Sequence, residues 1–149
     1  MKNKKNFLCY IFVFTFIFSL FLIPQKQNPK DIKHIKIAGQ SIKVELAISP
    51  SELEKGLSGR AVLNKNEGML FIFEQNGKYP FWMKGVNFPI DIVWIGEDQK
   101  IVYIKKDAKP ENYPETYAPD ADALYVLEVV AGFSVNNNLK EGDSVEFVY

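Results

Sequence analysis

The chain has 149 residues, with 18 basic and 18 acidic side chains and a formal net charge of zero. Residues 31–149 carry 13 of the basic and all 18 of the acidic side chains, so this part has a net charge of −5 and lacks the basic face that nucleic-acid binding needs. The only cysteine, Cys9, lies before this part, which excludes disulfide bonds and cysteine-based metal sites or catalysis there.

The first predicted element along the chain is a membrane-spanning helix. Residues 7–23 form a run of 17 uncharged, mostly apolar side chains that ends before Pro24. A helix of this length extends roughly 25 Å, which is the short end of a membrane span. Three lysines precede the run, and the positive-inside rule therefore keeps the N-terminus in the cytoplasm. We expect residues 1–23 to be a signal anchor with the following domain outside the membrane.

A cleaved signal peptide is the alternative for this segment, and it would leave a secreted or periplasmic protein. The apolar run is longer than the usual signal core, and residues 21–24 are bulky or restricted where a cleavage site needs small side chains. The sequence therefore favours a retained anchor. Residues 24–31 are polar, contain two prolines and are predicted to be a linker. Residues 32–149 then form a single domain.

Alternation of apolar and polar side chains dominates this domain and predicts a mostly β fold. Short turn-like segments at 38–40 and 96–99 predict two hairpins. The strand-like runs cover residues 35–37, 42–48, 69–73, 81–83, 90–95, 101–104, 124–130 and 145–149. About eight short strands of this kind indicate a small barrel or sandwich.

One helix has a clear start signal. Ser49 and Glu52 form a capping box, with Pro50 at the first helical position. This pattern predicts a helix over residues 49–58, and a second short helix is predicted over 134–139. The stretch 109–122 holds three prolines and four acidic residues and is predicted to be a long surface loop.

Six motifs of the domain together match a known family. The motifs are GLSGR at 56–60, GMLFIF at 68–73, FWMK at 81–84, FPIDIVWI at 88–95, VLE at 126–128 and LKEGD at 139–143. In type and order they resemble a bacterial and archaeal family known as domain of unknown function 192. The resemblance implies a small β-rich fold, often exported, without an established activity. One departure is Gly85, where the family usually has asparagine.

Arg60 and two buried-looking acids are the first candidate site residues. Arg60 is the only arginine of the chain, which favours a bidentate contact that lysine cannot make, either with a ligand or with a carboxylate such as Asp91 or Glu128. Asp91 interrupts a run that is otherwise apolar on both strand faces, and Glu128 lies in another apolar run. A carboxylate in such a position is costly unless it is paired or hydrogen-bonded.

The aromatic segment at 79–84 is the other candidate. Trp82 and Lys84 combine a stacking surface with a cation, although aromatic strands are more often part of a core. We therefore expect a ligand-binding cleft near Arg60, Trp82, Lys84 and Asp91. No metal-binding or cofactor-binding motif accompanies these residues.

The sequence favours a non-enzymatic, membrane-tethered extracytoplasmic module that binds a cell-envelope ligand, either a glycan or a peptide. The alternative is a carboxylate-dependent hydrolase that uses Asp91 and Glu128 as an acid–base pair. Such a pair requires both carboxyl groups in one pocket, roughly 5 to 9 Å apart.

Overall fold

The computed structural model describes residues 27–149, which form nine strands and two short α-helices. The helices are α1 (Pro50–Lys55) and α2 (Phe133–Asn136). The strands are β1 (His34–Ile37), β2 (Gln40–Ala47), β3 (Glu67–Gly77), β4 (Phe81–Trp82), β5 (Ile90–Ile95), β6 (Ile101–Ala108), β7 (Thr116–Tyr117), β8 (Ala123–Val130) and β9 (Val145–Val148). Within residues 27–149, none of the helices has both the length and the apolar character that crossing a bilayer requires. The anchor predicted over residues 7–23 lies outside the described residues.

Seven strands form one curled sheet in the order β6-β5-β8-β3-β2-β1-β9. All neighbours are antiparallel except β2 and β3, which are parallel. The two edges approach each other at one end, where Ile101 N–H donates to the carbonyl of Asp143 at 2.9 Å and Val145 N–H donates to that of Gln99 at 2.8 Å. The sheet is therefore a half-barrel, which confirms the mostly β prediction in its general form.

Both faces of this sheet are buried, and alternate side chains of each strand point to opposite faces. The Leu70 face carries one buried cluster, whose central members are Ile42, Leu70, Val93, Leu127 and Phe147. The Phe71 face carries the other, whose central members are Met69, Phe71, Ile92, Trp94 and Val126. All six residues of β5, including Asp91, are buried, as its otherwise apolar run predicted.

Helix α1 covers the Phe71 face because it lies in the crossover between the parallel strands β2 and β3. Its predicted capping box is present: Ser49 Oγ accepts from Glu52 N–H at 3.4 Å, and Glu52 Oε2 accepts from Ser49 N–H at 2.9 Å. The helix is shorter than the predicted 49–58. It ends at Lys55 because Gly56 adopts a φ of +47°, outside the helical region.

The segment that follows β3 also covers the Phe71 face. Its strand β4 pairs with β7, with Phe81 opposite Tyr117 and Trp82 opposite Thr116. Strand β7 comes from the predicted loop 109–122, so this stretch supports the aromatic segment.

Asp91 holds three backbone segments together. Its carboxylate is fully buried and accepts from Asp107 N–H at 2.9 Å, from Gly132 N–H at 3.3 Å and from Ser134 N–H at 2.7 Å. These donors come from the end of β6 and from the start of α2. The hydrogen-bonding capacity of the Asp91 side chain is therefore used within the domain, which indicates a structural role.

We expect Asp91→Asn to lower the free energy of unfolding by about 2 kcal/mol, because the amide group must present a donor where a backbone N–H already donates. Urea denaturation measures this change. The matched control Asp120→Asn, at an exposed position, should change it by less than about 0.5 kcal/mol. Equal effects of the two substitutions would contradict the structural role of Asp91.

Candidate functional site

A cleft opens on the Phe71 face between α1 and the aromatic segment. Its volume is about 120 Å³. Five aromatic side chains line it, together with the Gly56 backbone, the carboxyl of Glu128 and, toward the solvent, Glu54, Lys55 and Lys84. The aromatic residues are Phe71, Phe73, Tyr79, Phe81 and Trp82. We call this space the Glu128 cleft.

Two buried polar side-chain atoms have no hydrogen-bond partner within residues 27–149, Ser134 Oγ and Glu128 Oε2, and of the two residues only Glu128 lines the cleft. The residue is only 3% exposed, and its Oε2 has no hydrogen-bond partner within residues 27–149. Desolvation by burial raises the pKa of Glu128 to about 8, although the positive charge of Arg60 opposes the shift. The carboxyl group is therefore uncharged at neutral pH and can both donate and accept a hydrogen bond.

Strand register explains this environment. Glu128 on β8 lies between Met69 on β3 and Ile92 on β5, and Glu45 on β2 follows Met69 in the same row. Side chains in one cross-strand row share a face, so the apolar side chains of Met69 and Ile92 flank the carboxyl. This neighbourhood provides little solvation for a negative charge.

Gly56 lies directly beside Glu128 in the cleft. A Cβ atom at this position would lie 3.1 Å from Phe71 Cζ and 3.8 Å from Glu128 Oε2. The φ of +47° also disfavours other residues here. The first glycine of the GLSGR motif thus keeps this part of the cleft free of side-chain atoms.

Ring contacts order most of the aromatic wall. Phe73 and Tyr79 stack at a centroid distance of 3.5 Å, and Phe81 packs edge-on against Phe71 at 4.8 Å. Trp94 Nε1–H donates to the carbonyl of Tyr79 at 2.9 Å and fixes the backbone of that segment. Trp82 is the exception, since it is 43% exposed. It lies at the solvent-facing side of the cleft and provides an accessible aromatic surface.

Arg60 forms the bidentate contact that its chemistry indicated, but its partner is Glu45. Its Nη1–H donates to Glu45 Oε1 at 2.8 Å, and Nη2 contacts Oε2. The hydrogen bond from Arg60 lowers the pKa of Glu45, and the same contact raises the pKa of Arg60. Arg60 lines a neighbouring depression and not the Glu128 cleft, which differs from the predicted cluster.

Asp91 is also separated from the cleft. It pairs with Val129 on β8, whereas Glu128 pairs with Ile92, so the two acids point to opposite faces of the sheet. The acid–base pair that the alternative hydrolase function requires is therefore not formed. Of the four predicted ligand-binding residues, the structure brings Trp82 and Lys84 together, and it joins them with Glu128 instead of Asp91 and Arg60.

The sequence predicted Glu128 only as a possible partner of Arg60 and as a catalytic alternative, and it did not predict Gly56 and Phe71 as parts of the site. The signal for Glu128 was its position in the apolar run of β8. The signal for Gly56 was its place at the start of a family motif, directly after a capped helix.

The family is decided by the comparison with known sequences. A sequence profile of domain of unknown function 192, described as an uncharacterized ACR, matches residues 33–147. The chain belongs to this family.

Two solved structures are similar to this domain. A protein of unknown function from Novosphingobium aromaticivorans DSM 12444 is 31% identical with a TM-score of 0.72, and the match covers 80% of this chain and 89% of that chain. A candidate transcription regulator from Sinorhizobium meliloti 1021 is also 31% identical, with a TM-score of 0.71 and coverage of 76% of this chain and 90% of that chain. The comparison with curated proteins gives no significant match.

The raised pKa of Glu128 links folding to pH. In the unfolded chain this carboxyl ionises at its ordinary pKa of 4.5, whereas in the folded protein it ionises near pH 8. Between these values the folded state holds a proton that the unfolded state releases. The contribution of protonated Glu128 to the free energy of unfolding is therefore fully present below pH 4.5. As the pH rises, this contribution decreases by up to about 1.4 kcal/mol per pH unit until the carboxyl ionises in the folded protein.

We expect Glu128→Gln to remove this contribution, because the amide does not titrate. The unfolding free energy of the variant minus that of the wild type should rise between pH 5 and pH 8 and level off above pH 8. Urea denaturation of both proteins across this range measures the difference. Parallel stability curves would show that Glu128 is already ionised in the folded protein at neutral pH.

Proposed function

We propose that this protein is a membrane-tethered extracytoplasmic module that binds a cell-envelope glycan in the Glu128 cleft, without catalysing a reaction. The observation that carries the proposal is the buried and unpartnered Oε2 of Glu128 in a cleft with an aromatic wall. A buried polar group without a partner costs about 1 to 3 kcal/mol. A ligand that hydrogen-bonds to it recovers this free energy.

The size and chemistry of the cleft favour a sugar ring. A dry cavity of about 150 Å³ is known to bind one benzene molecule, so a cleft of about 120 Å³ suits a single ring or a side chain. A sugar hydroxyl can accept from and donate to the uncharged carboxyl of Glu128. Trp82 offers an exposed ring on which an adjacent sugar can stack. A peptide side chain is the competing ligand, but it would use the Glu128 carboxyl and the Trp82 ring less completely.

Two other functions have less support. Hydrolysis by Asp91 and Glu128 is disfavoured because the two carboxyls point to opposite faces of the sheet. The regulator description of the Sinorhizobium meliloti protein suggests DNA binding, but residues 31–149 have a net charge of −5, which repels the phosphate backbone.

Residues 7–23 provide the proposed tether. The uncharged run and the preceding lysines support a position of the domain on the outer side of the membrane, where envelope glycans are accessible.

We expect the full-length protein to stay in the membrane pellet after alkaline carbonate extraction, because a run of 17 uncharged, mostly apolar residues anchors it in hydrocarbon. The intact mass of the recovered protein should correspond to the uncleaved chain. Recovery of a shorter protein from the soluble fraction would support signal-peptide cleavage instead.

We expect the full-length protein, purified in a detergent without a sugar head group, to bind members of an array of bacterial envelope glycans. Glu128→Leu should abolish binding while the free energy of unfolding is maintained or increased, because an apolar side chain replaces an unsatisfied polar one. Trp82→Ala should weaken binding, because it removes the stacking surface. Binding should also fall above pH 8, where Glu128 ionises.

Tyr113→Ala is the matched control, since Tyr113 is 48% exposed and does not line the cleft. It should bind like the wild type. If no glycan on the array binds and envelope peptides bind in a parallel peptide array, the ligand of the cleft is a peptide and not a glycan. Glycan binding that survives Glu128→Leu would contradict the assignment of the cleft.

A further inference from the structure

A second depression adjoins the Glu128 cleft on the side of Trp82. Its volume is about 330 Å³, and Lys55, Ser58, Trp82 and Lys84 line both spaces. We call it the lysine depression. A ligand longer than one ring would extend from the cleft directly into this depression, because the two spaces share one wall.

The two lysines of this depression carry charge that the domain does not neutralise. Neither Lys55 nor Lys84 forms an ion pair within residues 27–149, although residues 31–149 are net negative. Both side chains are exposed. Glu54, also exposed, is the one acidic side chain that lines the depression. The local charge is therefore positive on an otherwise acidic domain.

Hydrogen bonds fix the backbone that carries these lysines. Ser58 Oγ–H donates to the carbonyl of Lys84 at 2.6 Å, and Gly59 N–H donates to the carbonyl of Gly85 at 2.8 Å. Gly85 has a φ of +70°, and a Cβ atom there would lie 3.2 Å from Ser58 Cβ. The turn at Lys84 is thus held closely against the segment that follows Lys55, so the backbone that carries both lysines is organised before a ligand binds.

We propose that the ligand is an acidic glycan, in which one sugar ring occupies the Glu128 cleft and a neighbouring carboxylate binds between Lys55 and Lys84. This inference rests on the proposed function of the cleft. The buried Oε2 of Glu128, which has no partner in the described part of the chain, indicates that the cleft takes a ligand. The exposed lysines define the charge of the part that lies outside, because an ammonium group donates readily to a carboxylate.

The test compares acidic glycans with neutral forms of the same glycans. The probes are tetrasaccharides of polygalacturonate, alginate and hyaluronan, each measured before and after chemical reduction of its carboxyl groups to alcohols. Titration calorimetry with the full-length protein, in a detergent without a sugar head group, measures the affinities. We expect at least one acidic form to bind about 10-fold more tightly than its reduced form at low salt. This difference should decrease at 0.5 M salt, because the Debye length shortens.

Charge variants assign the effect to the lysine depression. Lys55→Gln and Lys84→Gln should each weaken binding of the acidic form by about 3- to 10-fold, and by less for the reduced form. Glu54→Gln should strengthen binding of the acidic form, because it removes a like charge. Lys140→Gln is the matched control, with the same loss of charge at an exposed residue that lines neither space.

The outcomes separate this inference from the proposed function. Equal affinities of acidic and reduced forms, or an effect of Lys140→Gln as large as that of Lys84→Gln, would overturn the inference while the proposed function stands. Binding of array glycans without binding of any of the three acidic tetrasaccharides would overturn it as well. The absence of any glycan ligand would remove the proposed function itself.

Discussion

Burial of both faces of the sheet is the constraint on which the rest of this structure depends. Strands β5 and β8 are interior neighbours in this sheet, and almost every side chain along them is shielded from water. Any acid in these strands must therefore either find donors or remain protonated. The domain contains one example of each solution, and they lie on opposite faces of adjacent strands.

Asp91 and Glu128 show why burial alone does not identify a functional carboxyl. Asp91 accepts three backbone hydrogen bonds, which hold the end of β6 and the start of α2 in place. Among residues 27–149, Glu128 has an oxygen without a hydrogen-bond partner, and burial raises the pKa of this residue to about 8. An acid whose oxygens all accept hydrogen bonds within the protein contributes to the fold. An acid beside a cleft with an oxygen that lacks a hydrogen bond is available to a ligand.

The surroundings of the cleft combine local and distant parts of the chain. The capped helix α1 and Gly56 form one side, and the aromatic segment around Trp82 forms the other. Strand β7 supports that segment from a stretch more than thirty residues away. The same arrangement carries Lys55 and Lys84 to one rim, so the apolar cleft and the charged depression form one continuous surface.

Local signals of the sequence determined a large part of the fold. The capping box started α1 where expected, the apolar run at 90–95 became a fully buried strand, and the mostly β class followed from alternation. Those signals depend on neighbours within a few residues. Only the tertiary structure decided the register between β5 and β8, the partner of Arg60 and the burial of Glu128 beside the cleft. They depend on which strands become neighbours and on which face each residue takes, and a shift of one residue in register would reverse that face.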